Sequence, residues 1–469
     1  MAFSSLPFMF VFLPLALLFY YLTPKKFRNY TLLFESLLFY ALGSLDYLLI
    51  LISMIFVNYF CGLFISNSKT EILRKASLGL GILANVSVLG YYKYFDFFIQ
   101  NINKYFHSQI DLIHVILPIG ISFYTFMAIS YLFDVYQNEA KAQKNPFKLA
   151  LFLSMFTNIM AGPINRYKDL IPQIDGRKEN IEDFIYGLKR FVVGLGKKVL
   201  IADVLGEVAN SVFALQASEL GMLISWIGIL AYSLQLYFDF SGYSDMALGV
   251  ARLFGFRIIE NFNFPYVSKT FTEFWRRWHI SLSSWFRNYL YIPLGGNRAG
   301  KVRTYANLFV VFFVTGFWHG ASWAYIFWGL YHGFFMIIER YFNLARKEFT
   351  KKWQNVALHI YCMFFVALGW VFFRAEDFSY ALKYIVSMFD FSTLLNSISR
   401  VGEFVDTYTV LIFVLAFVGA SGILKNIIEW GEGNNYKKMT LNLYLLALLY
   451  YSWCSLAAST FTPFVYFKF

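Results

Sequence analysis

The stretch from Tyr237 to His332 contains three motifs. They are Tyr237-Phe-Asp-Phe-Ser-Gly-Tyr-Ser-Asp245, Phe274-Trp-Arg-Arg-Trp-His-Ile-Ser281 and Phe317-Trp-His-Gly320. Two of its histidines, His279 and His319, each stand next to a tryptophan. Keeping an ionisable group among aromatic side chains is costly, so such a group indicates chemistry more often than packing. The stretch therefore predicts an enzyme embedded in a membrane.

Composition defines the surroundings of this stretch. The chain of 469 residues is 58% hydrophobic and 14% charged, whereas soluble domains average about 25% charged residues. Apolar runs recur from end to end, so we predict an all-α, polytopic protein among membrane lipids. The net charge of +12 falls in short clusters between apolar segments, which indicates cytoplasmic loops rather than a nucleic-acid surface. Cys61, Cys362 and Cys454 lack metal-ligand spacing, and no metal site is predicted.

Twelve apolar runs are candidates for transmembrane helices, for which about 17 to 25 residues are needed. Some are short or contain polar residues such as Glu35, Asn85 and Asn158, so we expect tilted, broken or shielded helices. The candidates are Pro7–Leu22, Tyr30–Leu45, Tyr47–Ile65, Leu78–Tyr92, Leu112–Phe133, Leu149–Gly162, Leu220–Phe238, Tyr305–Trp318, Trp323–Arg340, Val356–Phe373, Val405–Leu424 and Leu441–Ala458.

Basic loops predict the orientation of the chain. Lysines and arginines follow the first, third and fifth candidate spans, which places the N-terminus outside and these loops in the cytoplasm. Two later basic loops are both cytoplasmic only if an even number of crossings separates them. This requires that Tyr380–Leu395 does not span the membrane and lies along the outer interface instead. The C-terminus, at Phe469, is then also outside. The loop cations are Lys25, Lys26, Arg28, Lys69, Arg74, Lys75, Lys141, Lys144, Lys148, Arg346, Lys347, Lys351, Lys352, Lys425, Lys437 and Lys438.

The segment from Asp175 to Arg303 is too basic for simple spans and too apolar for a soluble domain. We predict interfacial or re-entrant helices there, which need protein or a water-filled cavity around them. No long Pro/Gly/Ser linker and no internal repeat divides the chain. The sequence therefore predicts one domain over residues 1–469.

The segment Thr270–Tyr291 has the pattern of one amphipathic helix at the cytoplasmic interface. A wheel at about 100° per residue gathers its aromatic side chains on a face of about 120°. His279 lies at the edge of that face, where it is either a boundary residue of the helix or a functional histidine. The aromatic face includes Trp275 and Trp278, and the polar side includes Arg276, Arg277 and Asn288.

The motif Phe317-Trp-His-Gly320 lies between two apolar segments, with Gly316 and Gly320 on either side of the Trp-His pair. Glycine permits a kink or the close approach of another group. A buried imidazole is neutral at rest and can take a proton from a hydroxyl as a general base. The alternative is a histidine that only hydrogen-bonds two helices together. We favour the catalytic interpretation for His319.

Two carboxylates and four further histidines are weaker candidates. Asp239 and Asp245 can pair with arginines, orient a histidine or cap a segment, and a structural role is favoured. His332 follows His319 by thirteen positions, so the two would face apart on an unbroken helix. Solvated or interfacial roles are expected for the histidines near segment ends, His107, His114 and His359.

At these residues the chain resembles the membrane-bound O-acyltransferase (MBOAT) family, in its bacterial branch of alginate and peptidoglycan O-acetyltransferase-like proteins. The matching motifs keep their order over about Leu117 to Ala375. They are Leu117-Pro-Ile-Gly-Ile-Ser-Phe-Tyr124, Ala161-Gly-Pro-Ile164, Phe238-Asp-Phe-Ser-Gly-Tyr-Ser-Asp245, Glu260-Asn-Phe-Asn-Phe-Pro-Tyr266, Glu273-Phe-Trp-Arg-Arg-Trp-His-Ile-Ser-Leu282, Tyr289-Leu-Tyr-Ile-Pro-Leu-Gly-Gly-Asn-Arg298, Gly316-Phe-Trp-His-Gly320 and Trp370-Val-Phe-Phe-Arg-Ala375.

The resemblance implies a ring of transmembrane helices around a central funnel. It implies that His319 is the tunnel histidine required for acyl transfer, and His279 the second histidine on the cytoplasmic side. It also implies an acyl-CoA donor, here acetyl-CoA, no tightly bound cofactor, and an extracytoplasmic acetyltransferase or accessory protein as partner. Substrate or tunnel contacts are assigned to Trp318, Trp275, Trp278, Arg276, Arg277, Asp239, Asp245 and Asn288.

The function implied by this resemblance is O-acetylation of an extracytoplasmic polysaccharide, such as peptidoglycan or alginate, from the bacterial inner membrane. Two alternatives stay open. One is D-alanyl transfer to teichoic acid. The other is a non-enzymatic glycan or lipid transporter, which predicts inverted repeats around a midplane site.

Overall fold

The computed structural model describes residues 2–43, 45–298, 300–347, 349–423 and 434–458. Over these residues the chain is all-helical, with no β-strand, which confirms the predicted fold class. The α-helices are α1 Leu13–Leu22, α2 Arg28–Ala41, α3 Leu45–Asn67, α4 Glu71–Phe106, α5 Ile121–Tyr136, α6 Pro146–Ser154, α7 Phe156–Ile159, α8 Tyr167–Gly176, α9 Ile181–Gly196, α10 Asp203–Phe213, α11 Met222–Leu253, α12 Phe271–Arg277, α13 Ile280–Phe286, α14 Gly300–His319, α15 Trp323–Tyr341, α16 Lys352–Arg374, α17 Phe378–Ser387, α18 Leu394–Arg400, α19 Thr407–Ala420 and α20 Asn435–Ala458.

Short 3-10 and π turns join some of these helices, and polar caps begin several of them. Ser322 Oγ accepts a hydrogen bond from the backbone N–H of Tyr325 at the start of α15, and Asp377 accepts one from Tyr380 at the start of α17. Each cap satisfies a donor that the helix leaves unpaired and contributes about 1 kcal/mol. The turns are Phe8–Phe12, Lys25–Phe27, Lys197–Ala202, Pro265–Val267, Arg287–Tyr291, Leu344–Arg346, Phe391–Thr393 and Val401–Glu403.

Five of the described helices, α3, α4, α11, α16 and α20, are long and apolar enough to cross a membrane. A sixth span is possible if the bent pair Phe391–Glu403 and Thr407–Ala420 crosses together. In α11, 78% of the apolar window is buried inside the protein, whereas in α20 only 17% is. A long apolar helix with so much exposed surface needs lipid around it.

Several predicted spans are shorter than expected or interrupted. The segment Leu112–Phe133 is helical only from Ile121 onward. The segment Leu149–Gly162 is interrupted at Met155, where φ is −52° and ψ is 117°. This is the kind of break that the sequence predicts for a run containing a polar residue such as Asn158. The predicted loop cation Lys425 and the C-terminal Phe469 lie outside the described residues.

The predicted single helix over Thr270–Tyr291 is also wrong, because it breaks at His279. α12 ends at Arg277, α13 begins at Ile280, and His279 between them has a φ of 44°. Backbone groups of the preceding loop take over the hydrogen bonds: Asn263 N–H donates to the Arg277 carbonyl, and Ile280 N–H donates to the Asn261 carbonyl, both at 2.9 Å. A residue in the left-handed region persists only where its surroundings hold it, and such residues cluster at functional sites.

Backbone packing groups the chain into two compact units. The first comprises Met1–Phe191, Met246–Glu260 and Arg287–Tyr289, and the second comprises Val192–Asp245, Asn261–Phe286 and Leu290–Phe469. In the first unit α5 is buried over most of its length and packs against α3, α4 and α8. In the second, α15 packs against α12, α14 and α16. Both candidate histidines lie in the second unit, and the single domain stays a prediction.

Candidate active site

Helices α14 and α15 approach each other closely beside His319. A Cβ added to Gly316 would lie 2.4 Å from the Tyr325 carbonyl oxygen, and one added to Gly329 would lie 2.3 Å from the Phe312 carbonyl oxygen. Only glycine fits at such separations, as in closely packed membrane helices. Gly316 is thus a point of close approach, as its position in the motif predicts, and it brings the end of α14 against α15.

His319 is the last residue of α14 and is enclosed by aromatic rings. Its side chain is buried, and its ring centroid lies 4.9 Å from that of Trp318, 4.9 Å from Trp328 and 5.2 Å from Phe373. All three contacts are edge-to-face, the arrangement that aromatic rings prefer. These rings enclose the imidazole, and such an enclosure suits a reaction in which water would compete with the substrate.

His279 is fully buried at the break between α12 and α13. Its Nδ1 lies 3.1 Å from Asn261 Oδ1, and the Phe240 ring lies edge-on with its centroid 4.7 Å away. Burial lowers the pKa of the imidazole to about 3, because desolvation disfavours the charged form. His279 is therefore neutral at pH 7. Asn261 was not among the candidate residues, although it lies in one of the quoted motifs.

The Trp318 indole contacts both candidate histidines. Its ring centroid lies 4.9 Å from that of His319 and 6.3 Å from that of His279. The two histidines that the sequence selects are therefore brought to one indole. Trp278 is also buried and extends the aromatic cluster around these histidines. Its ring centroid lies 5.0 Å from that of Trp370.

A third buried histidine, His332, belongs to the same aromatic cluster. Trp275 Nε1 donates a hydrogen bond of 3.3 Å to His332 Nδ1. The Trp328 ring centroid lies 4.9 Å from His332, the same distance as from His319. On an unbroken helix His319 and His332 would face apart, as stated above. The chain instead turns between α14 and α15, and the Ser322 cap at the start of α15 was a signal for that turn.

A polar cleft of about 660 Å³ borders the other side of α12. Arg276 is exposed in it and forms no ion pair with any residue that the structure describes. Arg277 is held in place, since it pairs with Glu273 at 2.9 Å and donates to the Asn263 carbonyl oxygen at 3.0 Å. The cleft is lined by Asn263, Lys269, Thr270, Thr272, Glu273, Arg276, Arg277, Leu344, Ala345, Lys347, Phe349, Asn355 and Leu358.

Each of the two candidate aspartates forms an ion pair with a lysine. Asp239 Oδ1 lies 2.8 Å from Lys198 Nζ, and Asp245 Oδ2 lies 2.6 Å from Lys197 Nζ. Each carboxylate thus has a partner within the protein, and the structural role that the sequence favours stays a prediction. Asn288 belongs to the first unit, in the short stretch Arg287–Tyr289, and is half-buried.

Residues 138–382 match the family described as MBOAT, membrane-bound O-acyltransferase. The chain is 40% identical to a protein of Pseudomonas putida described as a probable alginate O-acetylase, over the whole of both chains. It is 39% identical to the peptidoglycan O-acetyltransferase of Helicobacter pylori, over 82% of this chain and 79% of that protein. The chain belongs to the membrane-bound O-acyltransferase family.

A more distant relative of this acyltransferase is the teichoic acid D-alanyltransferase of Bacillus subtilis. The identity is 31%, over 55% of this chain and 69% of that protein. The family match includes His279, His319 and His332 together with the whole of α12. The chain is thus an integral membrane enzyme of the acyltransferase class, which sets the transporter alternative aside.

Proposed function

We propose that this enzyme transfers an acetyl group from acetyl-CoA towards O-acetylation of an extracytoplasmic polysaccharide, with peptidoglycan and alginate as the candidate acceptors. Named relatives that align over four fifths or more of the chain are O-acetylating proteins, whereas the D-alanylating relative aligns over about half. The observation that carries the proposal is the aromatic enclosure of His319 inside the segment that matches the acyltransferase family.

His319 is the proposed general base. Its imidazole takes the proton of the incoming hydroxyl, and the hydroxyl oxygen bonds to the carbonyl carbon of the thioester. The carbon–sulfur bond breaks, and the leaving thiolate takes up the proton from the imidazolium. His279 is the second proposed catalytic histidine. The rings of Trp318, Trp328 and Phe373 support this assignment, because a dry site favours the hydroxyl over water as the acceptor.

The polar cleft beside α12 is the proposed site for the phosphates of the donor. Guanidinium groups bind phosphate with strong, charge-assisted hydrogen bonds, and the cleft carries the cations Lys269, Arg276, Arg277 and Lys347. The opposite side of α12 carries Trp275, which contacts His332 in the aromatic cluster. One short helix therefore has the cation-lined cleft on one side and the histidine cluster on the other.

The enzyme is proposed to lie in the bacterial inner membrane with its N- and C-termini outside. The basic loops predicted from the sequence support this orientation. The donor then enters from the cytoplasm and the acetyl group leaves on the other side. An extracytoplasmic acetyltransferase or accessory protein is the proposed partner that receives or directs it.

The test uses purified enzyme in detergent with acetyl-CoA labelled in its acetyl group. We expect thioester turnover, and label transfer when the partner and a glycan are supplied. His319→Ala should abolish both while the protein stays folded and inserted. The matched control is His107→Ala, since His107 is an exposed histidine at the end of α4.

Three results would contradict the proposal. Wild-type turnover in His319→Ala would remove His319 from the chemistry. An equal loss in His107→Ala would show that the assay responds to any lost histidine. Transfer from a D-alanyl carrier protein with no turnover of acetyl-CoA would assign the enzyme to the D-alanylating group.

A further inference from the structure

The side-chain amide of Asn261 has a fixed orientation beside His279. Its Oδ1 accepts hydrogen bonds from the Ser281 backbone N–H at 3.2 Å and from Ser281 Oγ at 2.9 Å, and its Nδ2 donates to Ser244 Oγ at 3.2 Å. A backbone N–H can only donate, so the atom that faces Ser281 is the oxygen. The amide is buried and cannot rotate without losing these bonds.

This orientation decides which nitrogen of His279 carries the proton. Nδ1 of His279 lies 3.1 Å from Asn261 Oδ1, which is an acceptor only. A bare Nδ1 would direct its lone pair at the oxygen, so a hydrogen bond there requires a proton on Nδ1. In a neutral imidazole the other ring nitrogen, Nε2, then carries the lone pair. The Ser281 hydroxyl lies farther from Nδ1, at 3.4 Å, and its shorter contact is to Asn261.

We propose that Asn261 is a positioning residue that holds His279 in the Nδ1–H tautomer, with Nε2 as its accepting atom. This inference rests on the proposed function, in which His279 takes part in acyl transfer. In the Nδ1–H tautomer, His279 at rest can accept a hydrogen bond or a proton only at Nε2. The break at His279 serves the same end, because the Asn261 carbonyl accepts from Ile280 N–H and fixes the backbone beside the imidazole.

The first test reads the tautomer directly. Nitrogen-15 labelling of histidine in the full-length enzyme distinguishes a protonated ring nitrogen from a bare one, and His279→Gln identifies the signals of His279. We expect a protonated Nδ1 and a bare Nε2 in the wild type. A protonated Nε2 would overturn the proposal whether or not the enzyme turns over acetyl-CoA, so this arm is independent of the proposed function.

The second test compares Asn261→Asp with Asn261→Leu. Aspartate keeps an acceptor opposite Nδ1, whereas leucine removes it. Asn261→Leu should lower kcat by about 10²-fold or more with little change in KM for acetyl-CoA, the range expected when a catalytic histidine loses its partner. Asn261→Asp should keep the Nδ1–H tautomer and retain most of the activity.

The control for general destabilisation is Asn307→Leu. Asn307 is also buried, and its Nδ2 donates to the carbonyl oxygens of Leu294 and Gly296. Asn307→Leu should lower the melting temperature without altering the nitrogen-15 signals of His279. Wild-type kcat in folded Asn261→Leu would overturn the proposal. So would an Asn261→Asp variant that folds but loses the tautomer. If Asn261→Leu fails to fold, the wild-type spectrum and Asn261→Asp still decide.

Discussion

The Trp275 indole N–H donates a hydrogen bond of 3.3 Å to Nδ1 of His332. An indole nitrogen is a donor only, so Nδ1 of His332 carries the lone pair and Nε2 carries the proton. His332 therefore has the tautomer opposite to the one proposed for His279. The bond also ties α12 to α15, because Trp275 belongs to the first helix and His332 to the second.

Trp275→Phe should destabilise the protein more than Trp328→Phe. Both substitutions remove a similar apolar area from the same cluster. Trp328 Nε1 has no hydrogen-bond partner among the residues that the structure describes, whereas Trp275 Nε1 donates to His332. Leaving a buried acceptor unpaired costs about 1–3 kcal/mol. Melting temperatures in detergent measure the difference. If Trp328→Phe melts as low as Trp275→Phe, the hydrogen bond does not stabilise the cluster.

Glu339→Gln should destabilise the start of α12. The buried Glu339 carboxylate accepts hydrogen bonds from the backbone N–H groups of Phe271 and Thr272 and from the Thr272 hydroxyl. Glutamine offers one oxygen and turns an NH₂ group towards a donor, so we expect a loss of about 2 kcal/mol. Thermal melting measures it. The exposed Glu403→Gln is the control, and an equally small loss for both would show that Glu339 does not cap α12.

Asp239→Asn should cost more stability than Asp245→Asn. The side chains of Lys198 and Asp239 are 5% and 1% exposed, whereas those of Lys197 and Asp245 are 26% and 7% exposed. Asp239→Asn leaves the buried Lys198 with one carboxylate, Asp203 at 2.7 Å, in place of two, so we expect a loss below the roughly 3–5 kcal/mol of a fully broken buried pair. Lys197 can turn towards water, and a pair of that kind is worth about 1 kcal/mol or less. Comparison of the two melting temperatures tests this, and equal losses would contradict it.

The sequence predicts the features that depend on composition or on short motifs. The membrane class follows from the low charge content, and the position of His319 follows from its place between glycines and beside Trp318. The close approach at Gly316 also follows, because glycine has no Cβ and lets another backbone come near.

The features that depend on distant backbone were not predictable in this way. The break at His279 is held by backbone hydrogen bonds with two residues outside the segment whose pattern predicted one helix: the Asn261 carbonyl accepts from Ile280 N–H, and Asn263 N–H donates to the Arg277 carbonyl. The periodicity of that segment carries no information about those partners. The same holds for His332, whose contact with Trp275 requires α15 to return alongside α12.

The two neighbouring arginines of α12 should have separable roles. Arg276→Ala should raise KM for acetyl-CoA about 10-fold, with kcat and melting temperature unchanged, since Arg276 is exposed in the cleft and a charge-assisted bond to phosphate contributes about 1.5 kcal/mol or more. Arg277→Ala should also lower the melting temperature, because it removes the ion pair with Glu273 and the bond to the Asn263 carbonyl.

The dependence of KM on ionic strength distinguishes an electrostatic effect of Arg276→Ala from a change in the structure of the cleft. The wild-type KM should rise with salt, and the difference between wild type and Arg276→Ala should shrink, because salt screens exposed charges over about 10 Å at 0.1 M. Arg303→Ala is the control, since Arg303 is an exposed arginine outside the cleft. An unchanged KM in Arg276→Ala would place the donor elsewhere. A 10-fold rise in Arg303→Ala as well would mean that the overall positive charge, rather than the cleft, attracts the donor.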